Sequence, residues 1–260
     1  MGSNIGEKSA AVLYFWGQSN MVSIHTDKNI LPNKYKGIFD KIFVWSDDSS
    51  SFIKLNTNEN YNMYPYIATG NGFACEISAA IDFQESTGRD VYIVKYAKGG
   101  TSMAVNTALL DWNVNSPSYD LANLFRSQIK KCHDWLDFNN VVYEKYALID
   151  FQGYSDGIYS IQVANEFGKN RMDFYQMIKP FIGNLSIKQI IIRPHKDISP
   201  THKLIVLQQL TTMANGGVID GRTLSNVTMV NTDDLTLLND FAHVDGLAQI
   251  EIGKRVAVAL

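Results

Sequence analysis

The stretch Ala11–Met21, AVLYFWGQSNM, carries two messages that meet at a glycine. From Ala11 to Trp16 every side chain is apolar or aromatic, with no polar alternation. Such a run suits a parallel strand covered by helices on both faces. Gly17 then admits a sharp exit, and Gln18, Ser19 and Asn20 follow as a polar cluster. A buried strand that ends at once in amides and a hydroxyl fits an open α/β sheet, in which sites gather at the carboxyl ends of strands.

The same pattern recurs outward from this stretch. KIFVW (Lys41–Trp45), DVYIVKYA (Asp90–Ala97), YALIDFQ (Tyr146–Gln152), KQIIIR (Lys188–Arg193) and NVTMVNT (Asn226–Thr232) read as further strands. Helical spacing appears between them. Gly72–Thr87 is closed by Gly88, and Asp120–Leu136 has Ser118 and Asp120 as caps. Ala164–Ile182 reads as a weaker helix, interrupted by Gly168 and Pro180. Pro200–Asn215 and Asp245–Leu260 complete the set. The alternation predicts an α/β fold with helices on both faces of the sheet. Residues 20–71, rich in Asn, Asp, Ser and Tyr, read as long loops around one strand or hairpin lying over the top of the sheet. Residues 1–10 read as a polar tail and 11–260 as a single domain.

Bulk composition narrows the function classes. At 260 residues and 45% hydrophobic, the chain can bury one large α/β core. A net charge of -3 lacks the basic footprint of a nucleic-acid binder. No apolar run approaches the roughly 18 residues that span a bilayer, so no membrane partner is expected. The first ten residues lack the apolar core of a secretory signal. A removed leader would place the protein outside the cell or in a periplasm, so the compartment stays open, as does the oligomeric state. Cys75 and Cys132 read as helix core positions and form no disulfide framework. No His, Cys and carboxylate set has metal-ligand spacing along the chain, so neither metal nor cofactor is expected.

Four polar, glycine-rich clusters fall where such a sheet would gather them. They are GQSNM after the first strand, KGGTSM (Lys98–Met103), QGYSDG (Gln152–Gly157) and NDFAHVDG (Asn239–Gly246). Acyl transfer needs a hydroxyl nucleophile, a base, a carboxylate to orient that base and donors for an oxyanion. Ser19 at a strand-to-helix turn supplies the hydroxyl and a backbone N–H at a helix start. Asp240 and His243 stand three residues apart, on one side of a turn, where the carboxylate can fix the imidazole tautomer. Gly100 can bring its N–H close because no Cβ blocks the approach. Gln152 can offer its side-chain amide. A rival serine lies in Gly153–Gly157, GYSDG, which matches the G-x-S-x-G nucleophile elbow. Against Ser155, the following Asp156 and Gly157 suggest a loop more than an immediate helix, and GQSNM would be left unexplained. His133, His195 and His202 fall in helix, loop and helix-start positions and are not expected to be catalytic.

Together the four blocks closely resemble the SGNH (GDSL-type) hydrolase superfamily, in its sialate O-acetylesterase and acetylxylan esterase branch. GQSNM is present intact as Gly17–Met21; Gly99-Gly100-Thr101, with Trp112 following, resembles the branch's GGT segment. Gln152–Asp156 resembles Q-G-E-x-D, with Tyr154 where the branch usually has glutamate; Asp240 and His243 match D-x-x-H. The resemblance implies a three-layer α/β/α sandwich with a five-stranded parallel sheet. It implies Ser19 as nucleophile, His243 as base and Asp240 as its partner. It also implies an oxyanion hole from the N–H groups of Ser19 and Gly100 and the Gln152 amide. The implied substrate is an acetylated carbohydrate. Asn20, His25, Trp112 and Tyr154 are candidate contacts, His25 because it lies close after the nucleophile turn, and Tyr61, Tyr64 and Trp112 read equally as stacking surfaces or as loop-core residues. Two other readings stand beside this one: a catalytically degenerate carbohydrate-binding module, which Tyr154 favours, and a lipase or thioesterase of the same superfamily.

Overall fold

The computed structural model describes residues 9–22, 25–59, 72–105, 110–116, 121–183 and 187–260. The apolar run of the opening stretch forms β1 (Ala10–Gly17), buried along its whole length. Successive strand side chains point to opposite faces. Ala11, Leu13 and Phe15 accordingly join one core, and Val12, Tyr14 and Trp16 the other. Each fully buried side chain of this kind contributes about 1.5–3 kcal/mol, so β1 can sit only in the middle of a covered sheet.

The remaining strands are β2 (Ile38–Ser46), β3 (Ser51–Asn56), β4 (Val91–Ala97), β5 (Tyr143–Phe151), β6 (Lys188–Ile192) and β7 (Val227–Val230). They form a seven-stranded sheet in the order β3-β2-β4-β1-β5-β6-β7. The pairs from β2 through β7 are all parallel, whereas β3 returns antiparallel along β2. The parallel part thus has six strands where five were expected, and β3 adds an antiparallel edge. The hairpin read within residues 20–71 does not lie over the sheet: it is β2 and β3, and it forms the sheet's edge. The chain builds one side of β1 first and then crosses to the other. The direction reverses at β1, which puts a crevice at its carboxyl end.

The helices are α1 (Ser19–Val22), α2 (Glu76–Thr87), α3 (Leu121–Phe138), α4 (Asp156–Tyr159), α5 (Ile161–Ile182), α6 (Lys203–Ala214) and α7 (Gly246–Ala259). α2 and α7 cover the Leu13 face, and α3, α5 and α6 cover the Trp16 face. α2 ends as expected at Gly88, whose φ of +71° lets its N–H reach Gln84 O. Cys75 lies one residue before α2 and Cys132 inside α3; both are free and buried. The proposed caps Ser118 and Asp120 lie outside the described residues. None of the described helices is long and apolar enough to cross a membrane.

Gly168 and Pro180 do not interrupt α5. The Gln209 amide of α6 accepts from Gly168 N (2.6 Å) and donates to Ala164 O (2.8 Å), bridging two groups one helical turn apart. Pro180 falls in the last turn, where few hydrogen bonds remain to be lost. The Trp16 face also holds a charged group that periodicity does not reveal. Asp150 pairs with Arg171 and accepts from Tyr175 Oη (3.1 Å), with all three side chains buried.

Gly17 is the residue that lets β1 end as it does. Its φ is +149°, and an added Cβ would lie 2.5 Å from Phe151 O on the neighbouring strand. Neither can relax without parting β1 from β5. Gly17→Ala is expected to lower stability by about 3 kcal/mol or more, read as a reduced urea midpoint.

Candidate active site

Three of the four polar clusters meet because their strands are neighbours. Gly17 is in register with Ala97 of β4 and Phe151 of β5, so three chains leave the sheet side by side. Lys98 N donates to Gly17 O (3.0 Å), and Gln18 N donates to Phe151 O (3.2 Å). Ser19 opens α1 and is 8% exposed. The loop after β4 lies against it: a Cβ on Gly99 would come 3.8 Å from Ser19 Cβ. Close approach thus belongs to Gly99. Gly100 has open space around it and needs glycine for its φ of +72° instead, which corrects the expectation that its missing Cβ clears the way. No acceptor among the described residues takes the N–H of Ser19 or of Gly100.

Buried amides and a carboxylate brace this loop. The Gln18 side chain donates to Thr101 O and Ser155 Oγ and accepts from Tyr154 N, each at 3.1 Å. The Gln152 amide donates to Thr101 O (2.9 Å) and Asp156 Oδ2 (3.3 Å). Asp156 Oδ1 accepts from Met103 N (2.8 Å). Burial pushes the Asp156 carboxyl up to about 7, against the hydrogen bonds from Met103 and Gln152. Trp112 donates from Nε1 to Thr101 Oγ1 (3.1 Å).

The fourth cluster comes from far along the chain and is fastened by Asn20. The Asn20 amide donates to Ala242 O (3.0 Å) and accepts from Val244 N (3.1 Å), while Gln249 of α7 donates to Asn20 O (2.8 Å). The neighbour of Ser19 is therefore bonded to both neighbours of His243. Asp240 Oδ1 accepts from the N–H groups of Ala242 (2.9 Å) and His243 (3.0 Å), and Oδ2 lies 2.6 Å from His243 Nδ1. Partial burial acts to raise the Asp240 pKa, but the bonds from the His243 ring and those two N–H groups bring it down to about 2. Asp240 is thus ionised and can only accept, so the shared proton is carried by His243 Nδ1, and Nε2 is left as the basic nitrogen. The His25 ring lies against the His243 ring, with centroids 4.1 Å apart and planes tilted by 52°, and its Nε2 lies 3.9 Å from Asp240 Oδ2. Burial, followed by the nearby His243, lowers the His25 pKa against the pull of Asp240.

Comparison with known proteins gives the family and the fold. The family profile described as carbohydrate esterase, sialic acid-specific acetylesterase, matches residues 9–260. The chain belongs to this carbohydrate esterase family. Among solved structures, a protein of Arabidopsis thaliana superposes with a TM-score of 0.71 at 18% identity, over 97% of this chain and 98% of its own. NanS superposes with a TM-score of 0.68 at 13% identity, over 98% of each chain. A carbohydrate acetylesterase from Xanthomonas citri gives 0.54 at 14% identity, over 95% of this chain and 55% of its own. These likenesses are of fold. No curated protein sequence matches the chain.

Within this member of the family, the structure gathers Ser19, Gly100, Asp240, His243, His25 and Tyr154 at one end of the sheet and removes others from the surface. Trp112 is fully buried, packed 5.0 Å from Trp16, so it is core and cannot stack on a sugar. Asn20 is 5% exposed with both ends of its amide engaged; it joins two loops and is not free to contact substrate. Gln152 is fully buried with its amide nitrogen directed at two protein acceptors. It holds the Gly99–Thr101 loop and does not present a third oxyanion donor. Tyr154 is half-buried and bonds through its hydroxyl to Ser199 Oγ (2.8 Å). Tyr61 and Tyr64 lie outside the described residues.

The rival Ser155 is followed at once by α4, so the expectation of a loop there was wrong. Two other facts count against it: it is 4% exposed, and its φ of -65° and ψ of -33° are ordinary helical values, not those of a strained elbow. His133 Nε2 lies 2.6 Å from Tyr14 Oη, His195 is held between Asp233 O and Asp197 N, and His202 precedes α6. Sequence reading missed the bracing by Gln18 and Asp156. Their only signal was polarity inside motifs already singled out for other roles.

Proposed function

We propose that this protein is a serine esterase that removes O-acetyl groups from carbohydrate, working as one domain over residues 11–260. Ser19 Oγ attacks the acetyl carbonyl as His243 Nε2 accepts its proton. The Ser19 and Gly100 N–H groups receive the oxyanion, a contribution of about 3 kcal/mol per donor. The sugar alcohol leaves with the proton from His243, and water activated by the same nitrogen then releases acetate from the acetyl-serine. Asp240 keeps His243 in the tautomer that both half-reactions need.

The observation that supports this reading is the Asn20 bridge: the residue next to Ser19 is hydrogen-bonded to both neighbours of His243, across more than two hundred residues of sequence. Family membership supplies the substrate class. The experiment is acetate release from a panel of O-acetylated sialic acids, xylans and bacterial glycans, with an octanoyl ester as comparator. Release from one or more glycans, with the octanoyl ester poorly cleaved, supports the reading. Release from the octanoyl ester alone would assign a lipase or thioesterase. No release together with no labelling by a fluorophosphonate would assign a binding module.

A further inference from the structure

Spacing along the chain shows no metal-ligand set, yet folding makes one. His25, Asp240 and His243 each bring a ligating atom within 4.8 Å of the other two. The side chains of His25 and Asp240 are 41% and 39% exposed, so an ion from solvent can reach them. Two imidazoles and one carboxylate form the donor set of zinc and neighbouring transition ions, not of calcium or magnesium.

We infer that His25, Asp240 and His243 form a binding site for zinc-like divalent ions, and that occupation switches the catalytic histidine off. Ligands at about 2.1 Å from a tetrahedral ion stand about 3.4 Å apart. The separations here are 3.9 Å between His25 Nε2 and Asp240 Oδ2 and 2.6 Å between Asp240 Oδ2 and His243 Nδ1. Shifts below an ångström bring both to that value, the third pair lies within 4.8 Å, and His25 lies in a turn outside the helices and strands.

The proton accounting makes the ion an inhibitor. At rest the His243 proton is on Nδ1 and the lone pair on Nε2. An ion bound through Nδ1 takes the lone pair of that nitrogen, so its proton departs and the neutral ring carries one on Nε2 instead. No net proton is released by the ring and its charge is unchanged. Nε2–H cannot accept a proton from Ser19. His25 is the residue that makes this site, because Asp240 and His243 alone offer only two ligands.

The effect on turnover rests on the proposed esterase reaction; the ion site itself does not. The two are separated by titrating cobalt(II) into the full chain and following its visible absorption, with zinc competing. One equivalent bound with a four-coordinate spectrum is expected, weakened about tenfold or more in His25→Ala and retained in Ser19→Ala. Zinc is expected to inhibit acetyl-ester hydrolysis over the same concentration range as it displaces cobalt, with recovery on chelation. Absence of binding at millimolar ion, or equal affinity in wild type and His25→Ala, would overturn the site. Cobalt binding that depends on His25 in a protein without esterase activity would uphold the site and overturn the function.

Discussion

Ser19→Ala is expected to lower kcat for an aryl acetate by about 10⁴- to 10⁶-fold and to abolish fluorophosphonate labelling, with the urea midpoint nearly unchanged. The serine is small and stands at the start of a single helical turn. The turn is held by the Gln18 and Asn20 side chains and not by the Ser19 hydroxyl. Removing that hydroxyl therefore removes chemistry and leaves the scaffold in place. Ser155→Ala is the paired control. It deletes only the contact with the Gln18 amide, a hydrogen bond worth about 1 kcal/mol, and should lower the urea midpoint slightly while the pre-steady-state burst persists. A burst that survives Ser19→Ala and vanishes in Ser155→Ala would transfer the nucleophile to the other serine.

The second large effect is expected from Asp240→Asn, a fall in kcat of about 10⁴-fold. The retained side-chain oxygen can still accept from Ala242 N and His243 N, as Oδ1 does now, so the turn should hold. The new amide nitrogen faces His243 Nδ1 as a donor where Oδ2 accepted. The ring then has to present a lone pair at Nδ1 and carry its proton on Nε2, the wrong tautomer for accepting from Ser19. Binding of an acetylated substrate should change little, so KM moves far less than kcat. The pH dependence of stability distinguishes this from a loss of folding. Asp240 titrates at about 2 in the folded protein, below the ordinary carboxylate value of about 3.9. Its stabilising contribution is fully present above the ordinary value and is lost as pH falls through about 2. The stability curves of wild type and Asp240→Asn should therefore converge at the acid end of that window. A difference that persists unchanged below it would mean that the substitution acts on packing.

Much of the fold was legible because burial has a local signature. β1, β4, β6 and the second half of β5 are mostly apolar on both faces, and a strand covered on both sides is generally written that way. The hairpin edge was only half legible, since β2 and β3 mix exposed and buried positions without regular alternation and carry polar residues. α5 read as broken because propensity counts Gly168 and Pro180 against a helix, whereas the contact with Gln209 is tertiary.

The candidate site divides along the same line. Sequence alone identified the four clusters, the chemistry of Ser19, Asp240 and His243, and the family resemblance, because these depend on residue type and short spacing. Only the tertiary structure decided which polar residues face solvent. Asn20, Gln152 and Trp112 carry the right chemistry for substrate contact, but each is buried with its polar group engaged by another segment. Only the fold, likewise, could set His25 against His243 and Asp240. The physical reason is one of range. Periodicity and motif spacing are properties of a few neighbouring residues. The partner that claims a side chain's hydrogen bonds can lie two hundred residues away, and no local pattern records it.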